Sequence, residues 1–258
     1  MDGTRRRDSI LEALEREGYV RLSALSEELG VAPVTIHRDL DLLEAEGALE
    51  RVRGGARAIG AGRQVIKTDF ETRQSQMVAE KETIARRAME EIPDGSTVFL
   101  DSSTTVLELG KHLVREAVRG LTIVTNSPAI AFQLNAPLIH VVVLPGELNQ
   151  PLRAITGRWT AEFLEQLSIN VAFVSAAGFT VEKGIMTTQR GLADVTQAAF
   201  ARADRRIALV DSSKFGVSAL VTMATPQELD LVITDEKLPD KTFDQFRSAG
   251  VALTRAQP

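Results

Sequence analysis

The sequence contains no cysteine and only three histidines. Without cysteine the chain can form neither a disulfide nor a thiolate metal site, which fits a cytoplasmic protein. His37, His112 and His140 lie far apart and lack the spacing of a ligand set. We therefore expect no metal and no cofactor.

Long apolar runs are also missing. No stretch approaches the roughly 20 residues that a membrane-spanning helix needs, and the N-terminal segment is charged without an apolar region, unlike a signal peptide. We therefore expect no membrane association. With 44% hydrophobic and 25% charged residues in 258, the composition is that of a globular protein with one large or two smaller domains.

An excess of positive charge, common in nucleic-acid-binding proteins, is absent. The formal net charge is −5, and residues 1–57 hold nine arginines and no lysine against twelve acidic residues. The arginines nevertheless cluster at 5–7 and at 51–57. Local clusters of this kind can neutralise DNA phosphates even where the bulk charge is unfavourable.

Residues 22–39 predict two helices joined by a tight turn. Leu22, Leu25 and Leu29 recur at helical spacing, and Gly30 stands where a helix ends in a left-handed residue. Pro33 opens the second helix at a position where the missing N–H costs little. The expected inward-facing residues of this helix are Ile36, Leu40 and Leu43, and the outward-facing ones are Thr35, His37 and Arg38. The pattern is typical of a helix-turn-helix whose second helix contacts bases.

A short hairpin, or wing, is expected after this unit. Residues 49–53 alternate in strand fashion and are followed by Gly54 and Gly55, which permit a tight turn. The wing arginines would lie along the DNA backbone or in the minor groove. The residues predicted to contact DNA are Arg5, Arg6, Pro33, Val34, Thr35, His37, Arg38, Arg51, Arg53 and Gly54.

The chain is predicted to have a DNA-binding domain at 1–57, a linker at 58–69, and an effector-sensing and oligomerisation domain at 70–258. The last begins with a helix over Phe70–Ile92, after which apolar strands and amphipathic helices alternate. The predicted strands are Thr97–Asp101, Thr122–Thr125, His140–Leu144, Val171–Ser175, Arg206–Asp211 and Leu231–Thr234, with a further candidate at Val251–Thr254. The predicted helices are Thr105–Leu113, Ala129–Leu134, Thr160–Leu167 and Ala193–Ala203. This alternation predicts an α/β domain with a mostly parallel sheet covered on both faces.

Polar residues follow several of the predicted strands, where open α/β sheets bind ligands. Four consecutive hydroxyl residues, at 102–105, open a helix and favour an anion site, although one of them would suffice as an N-cap. Lys214 supplies a cation for a phosphate, and Asp211 could hold a sugar hydroxyl. Gly178 suits either ligand approach or close packing. The predicted effector-binding residues are Asp101, Ser102, Ser103, Thr104, Thr105, Asn126, Ser127, Gly146, Gly178, Arg190, Asp211, Ser213 and Lys214.

Over essentially its full length the sequence resembles the DeoR family of bacterial transcriptional regulators of sugar metabolism. The matching segments are residues 22–56, DSSTT at 101–105, VTNS at 124–127, the turn at 145–146 and VDSSKFG at 210–216. The resemblance implies a winged helix-turn-helix and an effector domain related in fold to sugar-phosphate isomerases and CoA transferases. It also implies an operon repressor that releases DNA when a phosphorylated sugar binds.

Several positions depart from the family pattern. Ser103 and Pro145 replace common glycines, and His37 and Ala32 replace a common arginine and a common Ser or Thr cap. Leu192 and Thr196 stand where an acidic and a basic residue are usual near the effector pocket, and Arg190 is a candidate substitute cation. His37 is expected to contact a phosphate or a base edge, or to be simply solvated.

Two functions follow from the sequence. The favoured one is a regulator that binds double-stranded operator DNA as a homo-oligomer, a dimer or tetramer, and senses a small phosphorylated sugar or sugar-derived anion. The alternative is a sugar-phosphate isomerase or deaminase with an accessory DNA-binding domain. Asp101, Glu147 and Asp211 are candidate bases for such an enzyme, but no paired carboxylates or nucleophile–base motif accompanies them.

Overall fold

The computed structural model of the chain describes residues 3–17, 19–45, 48–52, 54–58, 70–116, 118, 120–134 and 138–257. The chain divides into two compact units, Met1–Ile66 and Lys67–Pro258, which are described separately. The predicted linker lies almost wholly outside the described residues, as does Arg53.

The first unit is a winged helix-turn-helix, as the sequence predicts. Its elements are α1 (Gly3–Glu17), β1 (Tyr19–Arg21), α2 (Leu22–Leu29), α3 (Pro33–Ala45), β2 (Leu49–Val52) and β3 (Gly55–Ala58). Gly30 ends α2 with φ +63°, and its N–H donates to the carbonyl of Ser26. Because this left-handed conformation suits glycine, the chain turns sharply enough for α3 to pack across α2.

The three helices enclose a small apolar core against a three-stranded antiparallel sheet. The sheet has the order β1–β3–β2, so β2 and β3 form the wing hairpin. Gly55 is required there, because a Cβ at this position would lie 2.0 Å from the carbonyl oxygen of Val20. The buried apolar side chains include Ile10, Leu14, Leu25, Ile36, Leu40, Leu43 and Leu49.

An ion pair joins α1 to α3 in this unit. Arg6 donates from Nε and Nη2 to the two carboxylate oxygens of Asp39, at 2.5 and 3.1 Å. Both side chains are largely buried, with 12% of Arg6 and 4% of Asp39 exposed. The structure therefore places Arg6 on a buried carboxylate rather than on the DNA-facing surface, which corrects the expectation that it contacts DNA.

The second unit is an α/β domain. Its elements are α4 (Phe70–Ser75), α5 (Val78–Ala88), β4 (Thr97–Leu100), α6 (Thr104–Arg115), β5 (Leu121–Thr125), α7 (Pro128–Gln133), β6 (Ile139–Val143), β7 (Glu147–Asn149), β8 (Ala154–Thr156), α8 (Arg158–Leu164), β9 (Ile169–Val174), β10 (Gly178–Thr180), β11 (Gly184–Thr187), α9 (Arg190–Ala201), β12 (Ala203–Leu209), β13 (Val221–Ala224), β14 (Leu231–Thr234), α10 (Asp240–Ser248) and β15 (Leu253–Arg255). In the described part of the chain, seven strands form a parallel sheet in the order β15–β14–β12–β9–β4–β5–β6. The predicted parallel α/β architecture is confirmed.

The sheet is buried on both faces, which explains why its strands are almost continuously apolar. Val98 and Leu100 of β4 face a core shared with α5, α6 and α7, whereas Phe99 faces a core shared with α8, α9 and α10. From β4 the chain first adds β5 and β6 on one side of the sheet. It then returns to the other side of β4 and adds β9, β12, β14 and β15 there, so the strand order reverses at β4. Such a switch point opens a crevice between neighbouring strand ends, here those of β4 and β9.

Some elements differ from the sequence expectation. The helix predicted over Phe70–Ile92 is two helices, because Met77 between them adopts the left-handed conformation with φ +50°. The hairpin β7–β8, the antiparallel sheet β10–β11–β13 and helix α10 were not predicted. These strands are only three or four residues long, too short for a clear alternation of polar and apolar residues. Among the described residues, no helix combines the length and apolar character needed to span a bilayer.

The Arg6–Asp39 pair should stabilise the first unit strongly. Replacing Arg6 by Met leaves a buried carboxylate without its partner, so we expect the opening free energy of α3 to fall by about 3–5 kcal/mol. Amide hydrogen exchange on peptides from α3 in the full-length protein would measure this loss. The double variant Arg6→Met/Asp39→Leu should recover most of it, and a double variant as unstable as the single one would contradict the role assigned to the pair.

Candidate functional site

The exposed face of α3 carries four of the ten residues predicted to contact DNA. Pro33, Val34, His37 and Arg38 are exposed, and 68% of Val34 is accessible. Thr35, expected on the same face, is half-buried and donates its N–H to the carbonyl of Ala32. The helix thus presents one arginine, one histidine and apolar groups at its N-terminal end, where helix-turn-helix proteins contact base edges.

The other described residues predicted to contact DNA differ in their exposure. Gly54 is exposed with φ +87° and forms the hairpin turn, and Arg5 is exposed on α1. Arg51 instead turns toward α3: its guanidinium lies 2.9 Å from Nδ1 of His37 and 3.3 Å from the carboxylate of Asp41. Arg51 therefore contacts the second helix of the motif instead of projecting freely as a phosphate ligand.

A second group of polar residues lies at the switch point of the parallel sheet. Asp101 follows β4, and its carboxylate accepts the N–H of Ser103 at 2.8 Å and that of Ser175, which follows β9, at 2.9 Å. Burial raises the pKa of the Asp101 carboxyl to about 6, against the opposing effect of these hydrogen bonds. Asp101 thus joins the two loops that form the crevice.

The hydroxyl run that opens α6 divides into capping and non-capping residues. Ser103 is the N-cap, because its Oγ accepts the N–H of Val106 at 3.2 Å. Ser102, Thr104 and Thr105 are buried, and Thr105 Oγ1 lies 3.5 Å from Ser175 Oγ. One hydroxyl serves as the cap, and the first-turn N–H groups of Thr104 and Thr105 have no acceptor within the helix. These donors favour an anion at this end of α6.

The loop after β5 is anchored by hydrogen bonds to neighbouring elements. Ser127 is the N-cap of α7, accepting the N–H of Ile130 at 3.3 Å. Asn126 Nδ2 donates to the carbonyl of Ile155 at 3.0 Å. Within the described part of the chain, the buried Asn126 Oδ1 has no hydrogen-bond partner. A buried acceptor of this kind normally requires a partner, and a ligand hydroxyl would supply one.

The turn after β12 brings a carboxylate and a lysine to the same edge. Asp211 is buried and accepts the N–H of Ser213 at 3.1 Å and its hydroxyl at shorter range. The turn is also held by Asp235, whose carboxylate accepts the N–H of Ser212 at 2.7 Å. Ser213 is exposed and Lys214 half-buried. The predicted residues of this segment are thus brought together, with Asp235 as an anchor that the sequence had not suggested.

Lys81 is the main residue of this region that the sequence pattern does not indicate. It lies on α5, is 4% exposed, and donates from Nζ to the carbonyls of Arg73 and of Gln76, the latter at 2.6 Å. Burial lowers the pKa of its ammonium to about 8; the Asp211 carboxylate opposes this shift and the Lys214 ammonium adds to it. A buried lysine with a lowered pKa beside a crevice is a candidate functional group.

Three predicted effector residues have roles that need no ligand. A Cβ on Gly146 would lie 2.1 Å from Thr160 Oγ1, and one on Gly178 would lie 2.3 Å from the carbonyl oxygen of Val217, so both glycines are explained by close packing. Arg190 is exposed and pairs with Asp194 at 2.8 Å. We therefore exclude these residues from the candidate effector site, which corrects the expectation from the sequence.

The fold of each unit agrees with a comparison to known families. The family described as the DeoR C terminal sensor domain matches residues 76–236, and the DeoR-like helix-turn-helix domain matches residues 6–61. The chain belongs to the DeoR family. This DeoR-family protein is a DNA-binding transcriptional regulator, and the relatives do not favour the alternative of an enzyme.

Two curated relatives align with nearly the whole regulator. It is 30% identical over 249 residues to the HTH-type transcriptional regulator GlpR of Haloferax volcanii, with 96% of each chain covered. It is 32% identical over 234 residues to the lactose phosphotransferase system repressor of Staphylococcus epidermidis, covering 89% of this chain and 91% of that relative. Among solved structures, a D-ribose-5-phosphate isomerase matches with a TM-score of 0.40 and 18% identity over 52% of each chain, a likeness of fold alone.

The lowered pKa of Lys81 predicts a pH-dependent contribution to stability. Between about pH 8 and 10.5 the unfolded chain retains the Lys81 proton that the native state has lost, so this residue makes stability rise with pH across that window. The midpoint temperature of the wild type relative to Lys81→Met should therefore increase from pH 7.5 to pH 10. Differential scanning calorimetry would measure it, and a difference that stays constant over this range would contradict the assignment.

Proposed function

We propose that this regulator represses a carbohydrate catabolic operon and is released from double-stranded operator DNA by a phosphorylated sugar or a related sugar-derived anion. The observation that carries the proposal is that helix N-terminal donors, carboxylates and cations lie at the carboxyl ends of β4, β9 and β12, where Lys81 interacts with the charges of Asp211 and Lys214. The repressor function named for the lactose phosphotransferase system relative supports the carbohydrate class. A regulator of this kind would act in the cytoplasm.

In this proposal, the phosphate group binds at the N-terminus of α6. The N–H groups and hydroxyls of Thr104 and Thr105 would donate to it, with Lys81 and Lys214 supplying positive charge. Nζ of Lys81 already donates to the backbone carbonyls of Arg73 and Gln76, so its ammonium is oriented before the ligand arrives. Preorganised donors lower the cost of binding.

Carboxylates at the same crevice favour a sugar over inorganic phosphate. Asp101 and Asp211 oppose the charges of Lys81 and Lys214, so a phosphate alone would meet little net positive charge. Carboxylates accept hydrogen bonds from hydroxyls, and the buried Asn126 Oδ1 is a further acceptor. The set therefore suits a ligand that joins one anionic group to several hydroxyls.

Thr196 of α9 stands where the family usually has a basic residue, and its surroundings are apolar. Thr196 is 3% exposed, and its Oγ1 lies 3.6 Å from the sulfur of Met223. Leu192, one turn earlier, is half-buried. We infer that α9 contributes packing here and that the cationic part of the effector site comes from α5 and the turn after β12.

Release from DNA would require two states of a homo-oligomer, a dimer or tetramer, whose paired winged helices fit repeated half-sites only in one state. Shifting such an equilibrium from 99:1 to 1:99 requires about 5.5 kcal/mol of differential affinity for the effector. A charged ligand held by several hydrogen bonds in each protomer supplies interactions of that order.

A thermal-shift panel would test the effector class directly. Sugar phosphates, sugar acids and unphosphorylated sugars would be added to the full-length protein, and a ligand at 100 times its dissociation constant should stabilise it by about 2.7 kcal/mol. We expect stabilisation by a sugar phosphate or sugar acid and none by the neutral sugar. Stabilisation by the neutral sugar alone would refute the anion-sensing site.

Replacing Arg38 by Ala should abolish operator binding and leave effector binding unchanged. Arg38 is exposed on the DNA-facing side of α3, whereas the effector residues lie in the second unit. Gel-shift titrations and thermal shifts with the best sugar phosphate would measure the two functions separately. Arg202→Ala, at an arginine of the second unit, is the matched control, and undiminished operator affinity in Arg38→Ala would contradict the proposed docking.

Replacing Lys214 by Ala, or Lys81 by Met, should give a repressor that binds operator DNA but no longer responds to inducer. Each variant loses a charged donor worth roughly 1.5–3 kcal/mol. We therefore expect the affinity for the effector to fall by about 10- to 100-fold. Isothermal titration calorimetry and inducer-dependent gel shifts would measure the change. Lys183→Ala, at an exposed lysine between β10 and β11, should behave as wild type. A normal response in both lysine variants would remove these residues from the site.

A further inference from the structure

The wing strand is tied to the exposed face of α3 by one arginine. Nη2 of Arg51 lies 2.9 Å from Nδ1 of His37, and Nη1 donates to the carbonyl of the same residue at 3.4 Å. The guanidinium also pairs with Asp41 at 3.3 Å, and the Arg51 N–H donates to Glu44 Oε1 at 3.0 Å. A single residue of β2 therefore contacts three residues of the helix.

The chemistry of the contact determines which nitrogen of His37 carries the proton. A guanidinium has five N–H donors and no acceptor, so the Nδ1 atom that faces Arg51 must present its lone pair. The remaining proton of the neutral imidazole then lies on Nε2. Because Arg51 is only 21% exposed and is held by Asp41, the donor is fixed in place.

We propose that Arg51 is a positioning residue that fixes the Nε2–H tautomer of His37, and that His37 uses this N–H to contact a guanine in the major groove. The proposal rests on the docking of α3 in the groove. With Nδ1 engaged by Arg51, His37 can only donate to DNA. Guanine is the base whose major-groove edge offers two acceptors, N7 and O6, and no donor.

The proposal also explains the exposure of His37 on a face that carries few cations. His37 and Arg38 are adjacent exposed residues of α3. A neutral histidine adds base preference without adding a phosphate contact, whereas Arg51 is withdrawn from the DNA backbone by Asp41. Specificity at one base pair would therefore depend on a wing residue that does not itself touch the base.

The tautomer is tested first, on the free protein. The full-length chain has three histidines, so two-bond ¹⁵N–¹H correlation spectra of ¹⁵N-histidine-labelled protein are readily assigned with a His37→Gln variant. We expect the His37 proton on Nε2 in the wild type and a mixture of tautomers in Arg51→Met. A proton on Nδ1, or an unchanged tautomer in Arg51→Met, would overturn the proposal.

The base contact is tested next, with duplexes selected by the wild-type protein from a randomised library. Inverting the contacted G·C pair to C·G, which puts the cytosine amino donor in place of the guanine acceptors, should weaken wild-type binding about tenfold, the loss of roughly one hydrogen bond. His37→Gln, whose amide can donate from a similar position, should keep this preference, whereas His37→Asn and Arg51→Met should lose it. A purely structural role for Arg51 would lower affinity equally for both duplexes.

The outcomes separate this inference from the proposed function. If the wild type selects a sequence but no G·C position depends on His37, the inference fails and the regulator function stands. Equal loss on all duplexes in His37→Asn would assign His37 to a phosphate and also overturn the inference. Failure of the wild type to select any sequence would instead contradict the docking of α3 on which both rest.

Discussion

The carboxylate of Asp101 is the interaction on which the geometry of the sensing unit depends. It accepts one N–H from its own loop and one from the loop after β9. It therefore joins the loops that follow β4 and β9, the two neighbouring strands at the switch point of the sheet. Together with the 3.5 Å contact between Thr105 Oγ1 and Ser175 Oγ, this link connects the N-terminus of α6 to the end of β9. The pKa raised to about 6 reflects the free-energy cost of keeping this charge away from water.

The surrounding charges are arranged around that constraint. Lys81 lies buried on α5 with its ammonium on backbone carbonyls, and Asp211 lies buried at the end of β12 with its carboxylate on the following turn. Each of these groups is oriented by the backbone instead of by a direct partner of opposite charge. Groups held in this way remain able to bind a ligand, since no strong ion pair has to be broken first.

Much of the fold follows from patterns that are local in the sequence. The alternation of apolar strands with amphipathic helices predicts the parallel sheet, and Gly30 and Pro33 mark the turn between α2 and α3. Lys81 could not be found in this way, because its burial results from the break at Met77, where the sequence suggests one continuous helix. Gly146 and Gly178 show the converse error: small residues at strand ends suggest ligand approach, but the backbone and side chains of neighbouring segments occupy that space.

The two arginine clusters show a similar limit for the DNA-binding unit. The sequence predicts Arg6 and Arg51 as phosphate ligands because they lie in basic clusters, but Asp39 and Asp41, distant in sequence, hold them against α3. The described first unit thus uses two of its cations to fix the position of the helix that faces DNA.

We infer that a single copy makes few phosphate contacts, which limits its non-specific affinity. Binding through two linked copies would restore affinity by raising the effective concentration of the second half-site contact. The proposed homo-oligomer would therefore suit the charge distribution as well as effector control, because an effector that changed the spacing of the two copies would remove most of the affinity at once.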